Sequence, residues 1–191
     1  MKNVLYLTIL ILFVSSCNQN STGKTELGES FNAHKKISNA ADKNLKDQLK
    51  EYNNALHGEQ SRPQKVLDFI YSESFTYLKN QNPSTYSEEM VIRLFNEPVK
   101  QLKKMAKENN VKYSTRVGDI IQRVNQGNKL IYKVEIFLDM EYGMEKHTTG
   151  DKILGISLDA GENWKFLEIN PESIPEILSM KFSEATIDKV I

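Results

Sequence analysis

The chain has 191 residues, 25 basic and 25 acidic side chains, and a single cysteine. A formally neutral protein lacks the positive field on which non-specific nucleic-acid binding depends, so no nucleic-acid partner is expected. One cysteine excludes an internal disulfide and a cysteine-based metal site, and leaves the domain without a thiol nucleophile.

Met1, Lys2 and Asn3 make a short basic start, and residues 4–14 are apolar apart from Thr8 and the hydroxyl of Tyr6. A spanning helix needs about 20 apolar residues, so this run suits the central region of a cleavable export signal. It ends in Val14-Ser15-Ser16-Cys17, a branched apolar residue, two small residues and a cysteine. That tetrapeptide resembles the lipobox of bacterial lipoproteins. The resemblance implies that residues 1–16 are removed and that the Cys17 thiol receives diacylglycerol, with further acylation by chains such as palmitate. Two or more acyl chains hold a protein stably on a bilayer where one is marginal. Asn18, rather than Asp, follows the cysteine. By resemblance to enterobacterial sorting this favours the outer over the inner membrane, so the expected address is the cell envelope. Removing the leader takes away only Lys2, leaving the mature chain one charge negative.

Residues 17–62 are rich in Asn, Gln, Ser, Lys and Glu and read as a solvated polar tether. As a coil, residues 18–62 would span about 35–40 Å. Ala41, Leu45, Leu49, Tyr52 and Leu56 recur at spacings of three and four, one weak apolar stripe. It predicts a transient helix within the tether rather than a docked one. His34 and His57 lie here without a ligand cluster and are expected to be solvated.

Arg62-Pro63 opens a single domain over 63–191, long enough to bury roughly two-thirds of its unfolded surface. Val66, Leu67, Ile70, Tyr71, Ser74 and Leu78 predict a first helix, ended by Asn80-Gln81-Asn82-Pro83-Ser84. Thr85 and Glu88 have capping-box spacing. Val91, Leu94, Phe95, Val99, Leu102, Met105 and Ala106 predict a second helix, with Pro98 expected to kink it or to mark a restart capped by Asn96. From Val111 the period changes to two. Tyr113, Thr115 and Val117 alternate, Gly118 suits a bulge, and Asn125-Gln126-Gly127-Asn128 signals a hairpin. Leu130, Tyr132, Val134, Ile136, Leu138 and Met140 fall on one face of the next strand, opposite Lys133, Glu135, Asp139 and Glu141. One side of that strand is expected buried and the other mostly wet. Gly143 turns the chain, Leu154, Ile156 and Leu158 continue a third strand, and Trp164, Phe166 and Ile169 a fourth. Pro171 and Pro175 bracket a short helix over 172–180.

The expected architecture is therefore α+β: two N-terminal helices packed on a curved four-strand antiparallel meander, then a short C-terminal helix. This element order resembles the NTF2-like, cone-shaped fold, although no helix is inserted between the early strands.

Ser157-Leu158-Asp159-Ala160-Gly161-Glu162-Asn163-Trp164 resembles the Asp-box hairpin of sialidase propellers. Asp159 can accept from turn N–H groups, Gly161 supplies a positive φ and Trp164 packs back, with Ser157 leading the motif. It occurs once, and four strands make no propeller, so its expected role is to stabilise a turn.

No P-loop, nucleophile elbow, HExxH or EF-hand spacing is present. His147, near Asp139, Glu141, Glu145 and Asp151, is expected on a solvated strand end rather than in an acid–base pair. Tyr71, Tyr77, Tyr113, Tyr132 and Tyr142 are expected in the core rather than around a cavity. No catalytic residue, cofactor or metal is therefore assigned. The leading expectation is a membrane-anchored, non-catalytic binding domain for a small apolar ligand or a protein partner. The alternatives are a SnoaL or ketosteroid-isomerase type of enzyme in the same cone pocket, and a structural or immunity-type lipoprotein that binds another envelope protein.

Overall fold

A computed structural model of the chain describes residues 30–58, 62–168 and 170–191, with side chains from Asn39 onward in the first helix. It places β1 (Val111–Gln126), β2 (Lys129–Tyr142), β3 (Glu145–Ser157) and β4 (Lys165–Glu168) in one antiparallel sheet, in the order β1-β2-β3-β4. This is the expected meander; Ile169 lies outside the described residues. Gly127 and Gly143 each open a two-residue turn at φ +64° and +61°, a conformation that carries no Cβ penalty for glycine. The β1–β2 register slips between Val117 and Gln122, beside Gly118, where a bulge was expected.

The expectation that one face of β2 is mostly wet needs correction. Leu130, Tyr132 and Val134 pack in one layer with Ile120, Ile153, Trp164 and Phe166. On the opposite face Ile131 is only 1 % exposed and packs with Val124, Leu154, Ile156 and Leu167. The cover comes from α5 (Ile174–Ser179) and α6 (Glu184–Ile187), whose Ile174, Ile177, Leu178 and Ile187 meet the sheet together with Phe182 and Val190. Their spacing concentrates apolar groups on one side of short helices, and that side needs an apolar surface. Beyond Val134 the strand changes: residues 135–141 are all half-buried, and residues 145–149 of β3 are exposed. The sheet thus has a three-layered end and a projecting ribbon.

The polar tether also ends earlier than expected. Helix α1 (Ser30–His57) is docked, and Ala41, Leu45, Leu49, Tyr52, Ala55 and Leu56 are between 0 and 7 % exposed. The stripe is narrow, but the sheet is shaped for it. A Cβ on Gly155 would collide with Leu45, and one on Gly161 would come within 2.6 Å of the Ala41 Cβ. Arg123 Nη2 and Nε on β1 meet the two Asp42 oxygens at 2.7 and 3.1 Å, a bidentate pair that holds the helix alongside. The folded unit therefore starts within α1 rather than at residue 63.

The first expected helix is two, α2 (Pro63–Leu67) and α3 (Ser72–Gln81). Residues 69–71 between them run beside β4. Phe166 N–H donates to the Phe69 carbonyl at 2.6 Å and Tyr71 N–H to the Phe166 carbonyl at 3.0 Å. Those bonds require extended backbone, and they cover the outer edge of β4. Helix α4 (Glu88–Glu108) is capped by Ser87, whose Oγ accepts from Met90 N–H at 3.1 Å, in place of a Thr85–Glu88 box. It runs unbroken through Pro98, and Leu94 and Met105 of its expected apolar stripe are 50 % and 49 % exposed.

Candidate functional site

Cys17 and the leader lie outside the described residues, as does the His34 side chain. Among the described residues no helix is long and apolar enough to cross a membrane, and no group of three His, Cys, Asp or Glu side chains is placed to hold a metal.

The hairpin 157–164 is the most densely bonded segment singled out by sequence. Asp159 Oδ1 accepts from the Ser157 hydroxyl at 2.7 Å and from Asn163 N–H at 2.9 Å, and Oδ2 accepts from the Asn163 amide at 2.7 Å. Gly161 N–H donates to Ser157 Oγ at 2.9 Å, and the Trp164 indole N–H donates to the Gly161 carbonyl at 3.0 Å. Ala160 and Gly161 adopt φ of +58° and +94°. Partial burial works to raise the Asp159 pKa, but the bonds from Asn163 and Ser157 outweigh it and hold the carboxyl below the usual range. Every one of these contacts is local, and none leaves a group aimed at a ligand.

This hairpin also grips α1, a role that sequence reasoning missed. Asn44 Nδ2 donates to the Gly161 and Glu162 carbonyls at 2.7 and 2.5 Å. Gln48 Nε2 donates to Glu162 O at 2.9 Å while its Oε1 accepts from Trp164 N–H at 2.8 Å. Asn44 and Gln48 sit one turn apart on the flank of the apolar stripe, and that pairing of amides was the available signal.

The face of the sheet that packs against α1 is occupied by rings. Tyr52 packs 5.4 Å from Phe166 and 6.2 Å from Phe69, and Tyr132 packs 4.9 Å from Trp164. The Tyr52 hydroxyl is buried without a hydrogen-bond partner; burial, then the neighbouring Glu168 carboxylate, raise its pKa. Tyr71 and Tyr132 are core residues as expected, Tyr77 and Tyr113 are half-buried, and Tyr142 is 43 % exposed.

The side chains near His147 do not converge. His147 Nε2 lies 3.6 Å from Glu145 on the exposed ribbon, with its side chain 59 % exposed. Asp139 points to the opposite face of the ribbon, bonded to the Thr148 hydroxyl at 2.6 Å and Arg116 Nε at 2.9 Å, and both bonds lower its pKa. His57, expected to be solvated, is half-buried with Nδ1 unpartnered; burial, then Lys103, lower its pKa.

Two shallow depressions lie on the surface of the described residues. One of about 280 Å³ is lined by Glu51, Asn54, Ala55, Gly58, Arg62 and Lys65, a mixed-charge set on an open surface. The other, about 100 Å³, lies at the free end of the ribbon. Set against protein families, curated proteins and solved structures, the chain matches none.

Proposed function

We propose that the protein is a membrane-anchored lipoprotein of the cell envelope whose domain binds another protein through its surface, without catalysis. The observation that carries this reading is the aromatic filling of the sheet face under α1 by Tyr52, Phe69, Tyr132, Trp164 and Phe166. A domain that enclosed a small apolar ligand would keep an apolar cavity of several hundred cubic ångströms. Here the corresponding space is side chain, and the shallow depressions lie on the outside. The same fact argues against an enzyme of the SnoaL or ketosteroid-isomerase type, which needs a pocket around its acid or base. The helices-then-meander order is compatible with a filled NTF2-like cone, but that likeness concerns fold and not activity.

The anchor rests on Val14-Ser15-Ser16-Cys17 and on the placement of the sole cysteine there. With α1 docked on the sheet from Ala41 onward, the chain between the acylated cysteine and the folded unit is shorter than 18–62. Intact-mass analysis of protein from its native membranes tests the anchor: the expected species lacks residues 1–16 and carries acyl mass on Cys17. A free thiol, or membrane retention of Cys17→Ala, removes it. Native mass spectrometry of the same material tests the filled interior. A small molecule retained at one equivalent per chain would overturn it.

A further inference from the structure

Strand β4 stops short of its partner. It pairs with residues 153–156 of β3, and beyond Ile153 the outer side of β3 has no neighbouring strand among the described residues. The bonds of β4 fix which backbone groups face that side. Phe166 N–H donates to the Phe69 carbonyl and its own carbonyl accepts from Tyr71 N–H, so Phe166 faces away from β3 while Lys165 and Leu167 face toward it. Their partners Ile156 and Leu154 therefore point N–H and C=O outward to β4. The β2–β3 register runs without a shift, so the same alternation turns Lys152, Gly150, Thr148 and Lys146 to the open side. The first of these N–H groups, that of Lys152, donates to Asp151 Oδ1 at 2.6 Å. No backbone bond beyond the β2 pairing reaches the other three.

The side chains beside this edge carry uncompensated negative charge. Glu168 closes β4 opposite Ile153, and Asp151 is its diagonal neighbour on the same face. Both residues are exposed, yet neighbouring atoms crowd the Glu168 carboxyl; that burial, then the like charge of Asp151, raise its pKa. Among the described residues no Lys, Arg or His side chain pairs with either carboxylate. The lysines of the edge lie on the opposite face, where Lys146 pairs with Glu141 at 2.8 Å and Lys152 stands opposite Glu135. His147 lies farther along the strand, beside Glu145. Two residues before Glu168 and on its face, Phe166 packs against Tyr52, whose buried hydroxyl has no hydrogen-bond partner. Two carboxylates and a spare hydroxyl suit an ammonium or guanidinium group, which supplies N–H donors to all three.

A second copy of this chain fits the edge poorly. Two-fold pairing centred on Thr148 sets Glu145 opposite Asp151, and pairing centred on Thr149 sets Lys146 opposite Lys152. Like charges directly opposite are destabilising. We infer that an extended segment of the partner protein adds to the open edge of β3 in line with β4, presenting a Lys or Arg to Asp151, Glu168 and the Tyr52 hydroxyl. Main-chain bonds to Lys146, Thr148 and Gly150 supply affinity, and the basic side chain supplies selection. This rests on the surface-binding reading above and names the chemistry of the partner.

The test titrates the full chain in detergent with an acetylated peptide of alternating Thr and Val that carries one central Lys, and reads backbone amide exchange by NMR. The expected result is slowed exchange at Lys146, Thr148 and Gly150, absent when the peptide carries Glu in place of Lys. Glu168→Gln is expected to weaken binding about tenfold. Thr148→Pro removes an outward N–H that the fold does not use, at a strand edge where proline is tolerated, and is expected to abolish binding with little change in the unfolding midpoint. No slowing with the Lys peptide, equal binding of the Lys and Glu peptides, or undiminished affinity in Glu168→Gln would each overturn the inference, whether or not Thr148→Pro folds. Slowed exchange without peptide that grows with protein concentration would place a second copy on the edge and overturn it too. Recovery of a stoichiometric protein from native membranes separates this inference from the reading beneath it. Equal recovery by wild type and Thr148→Pro overturns the edge and leaves surface binding standing, while recovery by neither removes both.

Discussion

The two halves of β2 share a strand and an alternation of apolar and charged residues, yet they live in different environments. At 130–134, Leu130, Ile131, Tyr132 and Val134 are all 6 % exposed or less, because α1 lies on one face and α5 and α6 on the other. At 135–141 no residue is fully buried, although Ile136, Phe137, Leu138 and Met140 are as apolar as their neighbours. On the latter stretch Phe137 fills the space left by Gly118 and Gly150 and is covered on its outer side by the Arg116 guanidinium at 4.0 Å. Periodicity decides which side chains share a face. Depth of burial is decided by elements far away in sequence that come to lie on that face.

Stability measurements sharpen this contrast. The largest effect is expected from Leu49→Ala in α1, about 2–5 kcal/mol in denaturant unfolding, the cost of a cavity under a fully buried leucine. A solvated tether would show at most about 0.5 kcal/mol for the same change, so this one substitution separates a docked helix from a free one. Asp159→Ala is expected to cost about 1–3 kcal/mol, since it leaves Asn163 N–H and the Ser157 hydroxyl without their acceptor. Because the folded carboxyl titrates below its unfolded value, the wild-type contribution is complete above the unfolded pKa and is lost as pH falls through the lower folded one. The alanine variant should therefore show a flatter acid limb, and an unchanged acid limb would count against the hairpin bonds.

His57 gives a smaller, pH-specific effect. Its folded pKa lies below the ordinary 6.5, so the unfolded chain binds the proton more readily and stability declines as pH drops below that value. His57→Gln is expected to remove that decline while leaving stability at neutral pH nearly unchanged. The smallest effect is expected at the ribbon: Glu145→Gln, on an exposed strand end, should shift the unfolding midpoint by no more than the equivalent of about 0.5 kcal/mol. A large loss there would mean that the two ends of the sheet are not the separate environments described above.

The meander was legible because its signals are local. Gly127, Gly143 and the bulge at Gly118 are backbone requirements written in single residues, and alternation along Leu130, Tyr132 and Val134 needs no knowledge of partners. The three-layered end was not legible, since α5 and α6 are short and their apolar residues could not be assigned to a face until Ile131, Leu154 and Ile156 were seen to lack other cover. Helix α1 was hidden for a related reason. One apolar residue per turn makes a marginal helix in isolation, and its docking depends on Gly155 and Gly161, which are read in sequence as turn or strand residues and not as clearances. The same holds for the depression at the ribbon end, whose walls come from α4, β1 and β2 and are adjacent only in three dimensions.

The grip of Asn44 and Gln48 on Gly161, Glu162 and Trp164 joins residues separated by 114 to 118 positions. Such distant pairings make the search for the native state slow, because a long loop must close before the bonds reward it. Helix α1 precedes the other described elements in the chain, and although Val66, Phe69 and Ile120 share its core, its cover is completed only when the third strand and the hairpin behind it have been made. Throughout that interval Ala41 and Leu45, which close on Gly161 and Gly155, remain open to other chains. The molecule's time of greatest exposure to aggregation is thus set by its own chain order, with α1 waiting on residues 155–164 to complete its cover.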